Sequence, residues 1–161
     1  MFRITALLTA VLLTSCSSTY YIVRHAEKEA ASSNMTSDVP LSAAGKERAE
    51  ALKQALQHQH IRRIYSSNYI RTKETAQPLS TATGVSIETY DPRDTAFTHR
   101  LKDLGKGNTL IVGHSNTVDD LVNRLTGKQQ LQDLPDTQYG DLFVVTKKGK
   151  RYQYEVKHFG K

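Results

Sequence analysis

Cysteine is nearly absent. Cys16 is the only one in 161 residues, which excludes an intrachain disulfide framework and any cysteine-based zinc cluster. Long apolar runs are just as scarce: residues 4–13 form one, interrupted only by threonines, at about half the length needed to cross a bilayer. There is no internal repeat, low-complexity segment or interdomain linker, so a chain of this length with 38% hydrophobic content implies one α/β domain rather than two. Acidic residues are the minority, 16 against 22 Lys and Arg, so anionic partners are admissible. What is missing is a dense basic run with interleaved aromatics. The nearest, Lys147-Lys148-Gly149-Lys150-Arg151-Tyr152, reads as a hairpin turn, and nucleic acid is not an expected partner.

The N-terminus stands apart in composition. Arg3 precedes the apolar run, and the run ends in Leu13-Thr14-Ser15-Cys16, which resembles a bacterial lipobox. That pattern predicts a signal peptide over 1–15, a lipidated tether over 16–19 with the lipid on Cys16, and a folded domain over 20–161. Two or three acyl chains would hold a soluble domain on a membrane, where one gives only marginal binding. The alternatives are an ordinary cleaved signal or an uncleaved anchor. Ser17 and Ser18, with no Asp directly after the cysteine, resemble lipoproteins sent to the outer membrane. The expected location is thus the cell envelope, lipid-anchored on the periplasmic or outer-membrane side. So short a tether would set the domain against the headgroups, where a basic surface helps.

From residue 20 onward the hydrophobic pattern alternates in type, as in βαβ proteins. Strands are predicted over 20–23, 61–65, 85–90 and 109–112. Helices are predicted from the Ser42 N-cap to about 59, over 69–83 with Pro78 as a kink or late first turn, over 94–104, and from 116 to 125, closed by Gly127. A terminal hairpin pairs 142–146 with 152–156 across 147–150. The expected architecture is three-layer α/β/α with a mostly parallel central sheet. The loop 30–41, rich in Ser, Asn, Thr and Asp, reads as mobile.

On that framework Arg24-His25 falls at the carboxyl end of the first strand and Gly113-His114-Ser115 at that of the fourth, the edge where open α/β sheets bind ligands. Arg71 falls in the first turn of a helix, where free N–H groups favour an anion while an arginine works against the macrodipole. A bound anion would account for it. Two arginines, two histidines and a helix N-terminus suit phosphate. Zinc on the two histidines with Glu27 or Asp119 is the chemical rival, disfavoured because adjacent arginines repel a cation.

The segments Val23-Arg24-His25-Ala26-Glu27-Lys28, Pro40-Leu41-Ser42-Ala43-Ala44-Gly45, Ile64-Tyr65-Ser66-Ser67, Arg71-Thr72-Lys73-Glu74-Thr75-Ala76 and Val112-Gly113-His114-Ser115-Asn116-Thr117 are each weak signals. In this order and spacing they resemble the histidine phosphatase superfamily, also called phosphoglycerate mutase-like, and its small branch with the phosphohistidine phosphatases. The resemblance spans about 21–159. It implies a metal-independent phosphatase without cofactor, acting on a phosphorylated small molecule or phosphoprotein. His25 would be the nucleophile, forming a phosphohistidine, with Arg24, Arg71 and His114 binding the phosphate. A general acid is expected in most members. Asp91 or Asp94 is the first candidate, with Glu27 and Asp38 behind; Asp91-Pro92 reads as well as a turn. Without an acid, good leaving groups such as phosphohistidine or aryl phosphates would be favoured. Ala26 stands where the mutases carry glycine, and the long insertions of the mutases are missing, which argues against mutase activity. The alternative is a catalytically idle phosphate-binding or protein-interaction module on the same fold.

Overall fold

A computed structural model describes residues 17–30 and 38–161. The lipobox, Cys16 and most of the 30–41 loop lie outside the described residues. The described residues form ten elements: β1 (Ser17–Arg24), α1 (Ala43–Leu56), β2 (Ile61–Ser67), α2 (Ile70–Thr83), β3 (Ile87–Tyr90), α3 (Ala96–Asp103), β4 (Asn108–Gly113), α4 (Val118–Thr126), β5 (Asp141–Lys148) and β6 (Arg151–His158). They build one six-stranded sheet in the order β3-β2-β4-β1-β5-β6. The first four neighbours run parallel, while β5 pairs antiparallel with β1 and with β6.

The period-2 alternation of the strands divides the core into two layers. Tyr21 and Val23 face Leu52 and Leu56 of α1 and Ala76 and Leu79 of α2. Tyr20 and Ile22 face Phe97 and Leu101 of α3 and Val122 and Leu125 of α4. Both faces of the parallel part are therefore covered, as parallel sheets require, and the three-layer α/β/α expectation holds.

Local chemistry sets the helix ends. The Ser42 side chain accepts the Gly45 N–H and caps α1, and left-handed Gly84 (φ 71°) and Gly127 (φ 69°) close α2 and α4. Pro78 sits inside α2, which continues through it to Thr83.

Three expectations need correction. β1 starts at Ser17 rather than residue 20, because Ser17, Ser18 and Thr19 pair with Lys148, Lys147 and Thr146 of β5; the foreseen tether is thus mostly strand. The β5–β6 hairpin turns over Gly149 and Lys150 alone, with Gly149 at φ 61°, since the strands pair out to Lys148 and Arg151. α3 starts at Ala96 because the Asp94 carboxylate accepts the Ala96 N–H at 2.8 Å and ends the preceding turn.

Candidate active site

The four parallel strands deliver their carboxyl ends to one edge, and a cleft of about 680 Å³ opens there. Arg24, His25, Arg71 and His114 all line it.

His25 follows β1 directly, and its N–H donates to the Gly113 carbonyl at 2.9 Å. Its ring Nδ1 lies 2.7 Å from the Ala26 carbonyl. A carbonyl only accepts, so Nδ1 carries the proton and Nε2 keeps its lone pair. Burial, joined by the charges of Arg71, His114 and Arg24, lowers His25 to about 3 against the opposing pull of the Ala26 bond. The imidazole is therefore neutral at neutral pH, in one tautomer.

His114 follows β4, 5.5 Å from His25 between ring centroids. Its Nε2 is 2.8 Å from the Ser67 hydroxyl, which donates to Thr72 Oγ1 at 3.1 Å, while Thr72 donates to the Tyr69 carbonyl at 2.9 Å. Each proton in that chain points away from the ring, so His114 donates from Nε2 and turns the Nδ1 lone pair towards Arg71 Nη2 at 3.4 Å. Burial, with Arg71 and Arg24, lowers His114 to about 4, so it too is neutral when no anion is bound.

The two arginines are held differently. Arg24 donates through Nη1 to the carbonyls of Pro135, at 2.8 Å, and Gln138, at 3.2 Å, and its guanidinium lies 4.4 Å from the centre of the Tyr139 ring. Arg71 stacks on Tyr69 at 4.5 Å and faces Asp38 at 3.6 Å. Asp38 also accepts the first N–H of α2, from Ile70, at 2.8 Å. Tertiary carboxylate contacts thus offset Arg71's unfavourable place on the helix dipole.

Of the four acid candidates, Asp38 is the carboxylate that faces Arg71, and the other three lie elsewhere. Asp91 accepts the Arg93 N–H at 2.9 Å in a local turn, and neither it nor Asp94 is among the cleft-lining residues. Asp94 also pairs with Arg100 at 2.8 Å, and that bond holds its carboxyl below the usual range. Burial alone would raise Glu27, but two hydrogen-bonding nitrogens of Arg48 outweigh it and keep the carboxylate ionised, committed to Arg48 rather than to either histidine. Asp91 thus serves a local turn. The cleft's carboxylates are Asp120, paired with Arg124 at 3.1 Å, and Asp136, 3.4 Å from Arg24. Sequence reasoning missed Asp120, Asp136, Tyr139 and Tyr69. The segment 127–140 that supplies two of them has no periodic pattern to mark it.

Residues 20–93 match the histidine phosphatase superfamily (branch 1). No curated protein matches the chain. Among solved structures, the protein histidine phosphatase SixA complexed with tungstate superposes with TM-score 0.69 at 19% identity, over 87% of this chain and 96% of that one. A phosphoglycerate mutase from Bacillus anthracis str. Sterne gives 0.64 at 18% identity, over 89% and 93%. A mycobacterial glucosyl-3-phosphoglycerate phosphatase gives 0.64 at 14% identity, over 89% and 100%. The fold is phosphoglycerate mutase-like.

Proposed function

We propose that the protein is a phosphatase that hydrolyses phosphomonoesters or phosphoprotein through a phosphohistidine on His25, held at a bacterial membrane by lipid on Cys16. The observation that carries the catalytic reading is the fixed tautomer of His25: a neutral ring with Nε2 free, in a cleft walled by Arg24, Arg71 and His114.

The Nε2 lone pair attacks phosphorus, the bond from phosphorus to the leaving group breaks with its electron pair, and a phosphohistidine forms. Arg24 and Arg71 offer fixed N–H donors to the phosphoryl oxygens, and neither can lose its proton. Water then attacks phosphorus, the N–P bond breaks, and inorganic phosphate leaves with neutral His25. A dianion beside His114 favours a proton on Nδ1, adding a donor. The water's proton ends on the departed leaving group or on solvent.

Among the described residues, no carboxylate free of an arginine lines the cleft. Leaving groups that depart without a proton donor are therefore favoured, such as aryl phosphates or phosphohistidine. The similarity to a protein histidine phosphatase supports the latter.

The test is hydrolysis of p-nitrophenyl phosphate by the full chain, beside His25→Ala, with chelator in both. Turnover abolished by the substitution, with acid-labile phosphate trapped on His25, is the expected result; turnover that survives it rejects the mechanism. Intact-mass analysis of the membrane fraction tests the anchor, and a mature chain without acyl mass rejects it.

A further inference from the structure

β1 runs from the chain's entry at Ser17 to the site at Arg24, so entry and cleft occupy opposite ends of the sheet. Eight residues at a strand's rise separate the two ends by roughly 25 Å. The register sets Ser17 beside Lys148, at the tip of the β5–β6 hairpin, and Cys16 is one residue further back in sequence. α4 runs opposite to β1, from Thr117 at the cleft to Gly127, which brings Lys128 to this end too.

Charge follows the same axis. The loops and element ends at the entry end, 57–60, 84–86, 103–107, 127–130 and 147–151, carry Lys106, Lys128, Lys147, Lys148, Lys150 and Arg151 against the carboxylate of Asp103. At the cleft end, loops 25–30, 91–95 and 132–140 carry Glu27, Glu29, Asp91, Asp94, Asp133 and Asp136, against Lys28, Arg93 and, at the element ends, the cleft arginines Arg24 and Arg71. Lys128, Lys148, Lys150 and Arg151 are exposed and make no ion pair among the described residues, and together they line a groove floored by Tyr152. A tyrosine has an apolar body and a polar tip, the side chain that suits a headgroup boundary.

We infer that this basic end of the sheet, with the β5–β6 hairpin at its centre, docks on an anionic phospholipid surface and turns the cleft away from the bilayer. The inference rests on the proposed anchor at Cys16: a chain that enters the membrane next to Ser17 brings the hairpin to the headgroups before any other part of the fold. Several cations within a Debye length of an anionic leaflet then hold the orientation. The site is reached from the aqueous side, so its substrate is a water-soluble phosphate compound or a phosphoprotein, not a headgroup of the same leaflet.

The experiment reconstitutes the lipidated full chain in vesicles of phosphatidylglycerol and phosphatidylcholine, in vesicles of phosphatidylcholine alone, and in detergent. Floated protein is labelled with an amine-acylating reagent and each lysine is read by mass spectrometry. Labelling of Lys128, Lys148 and Lys150 should fall several-fold on the anionic vesicles, recover in high salt, and leave Lys28 unchanged throughout. Lys148→Glu/Lys150→Glu/Arg151→Glu should restore labelling of Lys128. Bound protein with equal labelling at both ends, or with Lys28 protected, overturns the orientation while leaving the anchor standing. Protein that fails to float overturns both.

Discussion

The backbone N–H of Ala26 donates to the buried Thr75 hydroxyl at 3.0 Å, and that hydroxyl donates in turn to the Arg71 carbonyl at 2.7 Å. One side chain thereby ties the loop carrying the His25 lock to the first turn carrying Arg71. Replacing Thr75 with Val keeps the shape but leaves a buried N–H without an acceptor, a cost of about 1–3 kcal/mol.

We expect Thr75→Val to lower the melting temperature and kcat on an aryl phosphate, the latter by about tenfold if the imidazole shifts by a fraction of an ångström. Thr75→Ser should restore both. A Val variant that loses stability but keeps kcat would reduce Thr75 to a structural role.

The histidines give a pH signature whose sign can be worked out. His25 and His114 titrate near 3 and 4 in the folded protein, against an ordinary value of 6.5. Below 6.5 the unfolded chain takes up protons that the native site refuses, so this contribution to stability is complete above 6.5 and is lost as pH falls towards 3. NMR of the two imidazoles should show no titration between pH 8 and about 5. Inorganic phosphate should raise His114, read as proton uptake on binding by calorimetry in buffers of different ionisation enthalpy. An imidazole at 25 that titrates near neutrality would remove the neutral nucleophile.

Much of the site was legible because its polar residues stand at strand ends, where an α/β pattern assigns them to one edge. Arg24, His25, Arg71 and His114 need only the correct order of strands to converge. Asp91 carried two readings, acid and turn, because a carboxylate two residues ahead of a free N–H can form its own turn, and the turn is the contact the structure shows. The start of β1 was hidden for the opposite reason. Ser17-Ser18-Thr19 has no apolar signal, and its pairing partner lies more than a hundred residues away in β5.

That reading of Asp91 is itself testable. Asp91→Asn preserves the side-chain oxygen that accepts the Arg93 N–H, and the residue does not line the cleft. Hydrolysis of alkyl and aryl phosphates should stay within about twofold of the parent, well under the 10²–10⁴ attributed to a general acid. A selective collapse on the alkyl substrate would reinstate Asp91 as the proton donor.

Tyr139 presents its ring to Arg24 and lies 6.4 Å from the His25 ring. A partly desolvated cation over an aromatic face is worth about 1 kcal/mol, roughly fivefold in affinity. Tyr139→Ala should weaken phosphate binding by about that factor, and Tyr139→Phe, which keeps the ring, should not. Equal losses in both would assign the effect to the hydroxyl.

Gly45 brings two opposing effects to one position. It is the third residue of α1, and alanine is the better helix former by about 1 kcal/mol, which alone predicts that Gly45→Ala stabilises. The helix start, however, is pressed onto the loop after His25. Ser42 N and Oγ both donate to the Glu27 carbonyl, at 2.9 and 3.2 Å, and a Cβ on residue 45 would sit 2.0 Å from that same oxygen. The obstacle is backbone, so it yields only if α1 retreats or the Ala26–Glu27 segment moves. Overpacking of this kind costs about 1–3 kcal/mol, which exceeds the propensity gain. We expect Gly45→Ala to lower the melting temperature and to disturb the His25 imidazole signals, since the displaced segment carries the carbonyl that fixes its tautomer. A stabilised variant with unchanged imidazole signals would show that the helix can back away freely, and that α1 does not position the nucleophile.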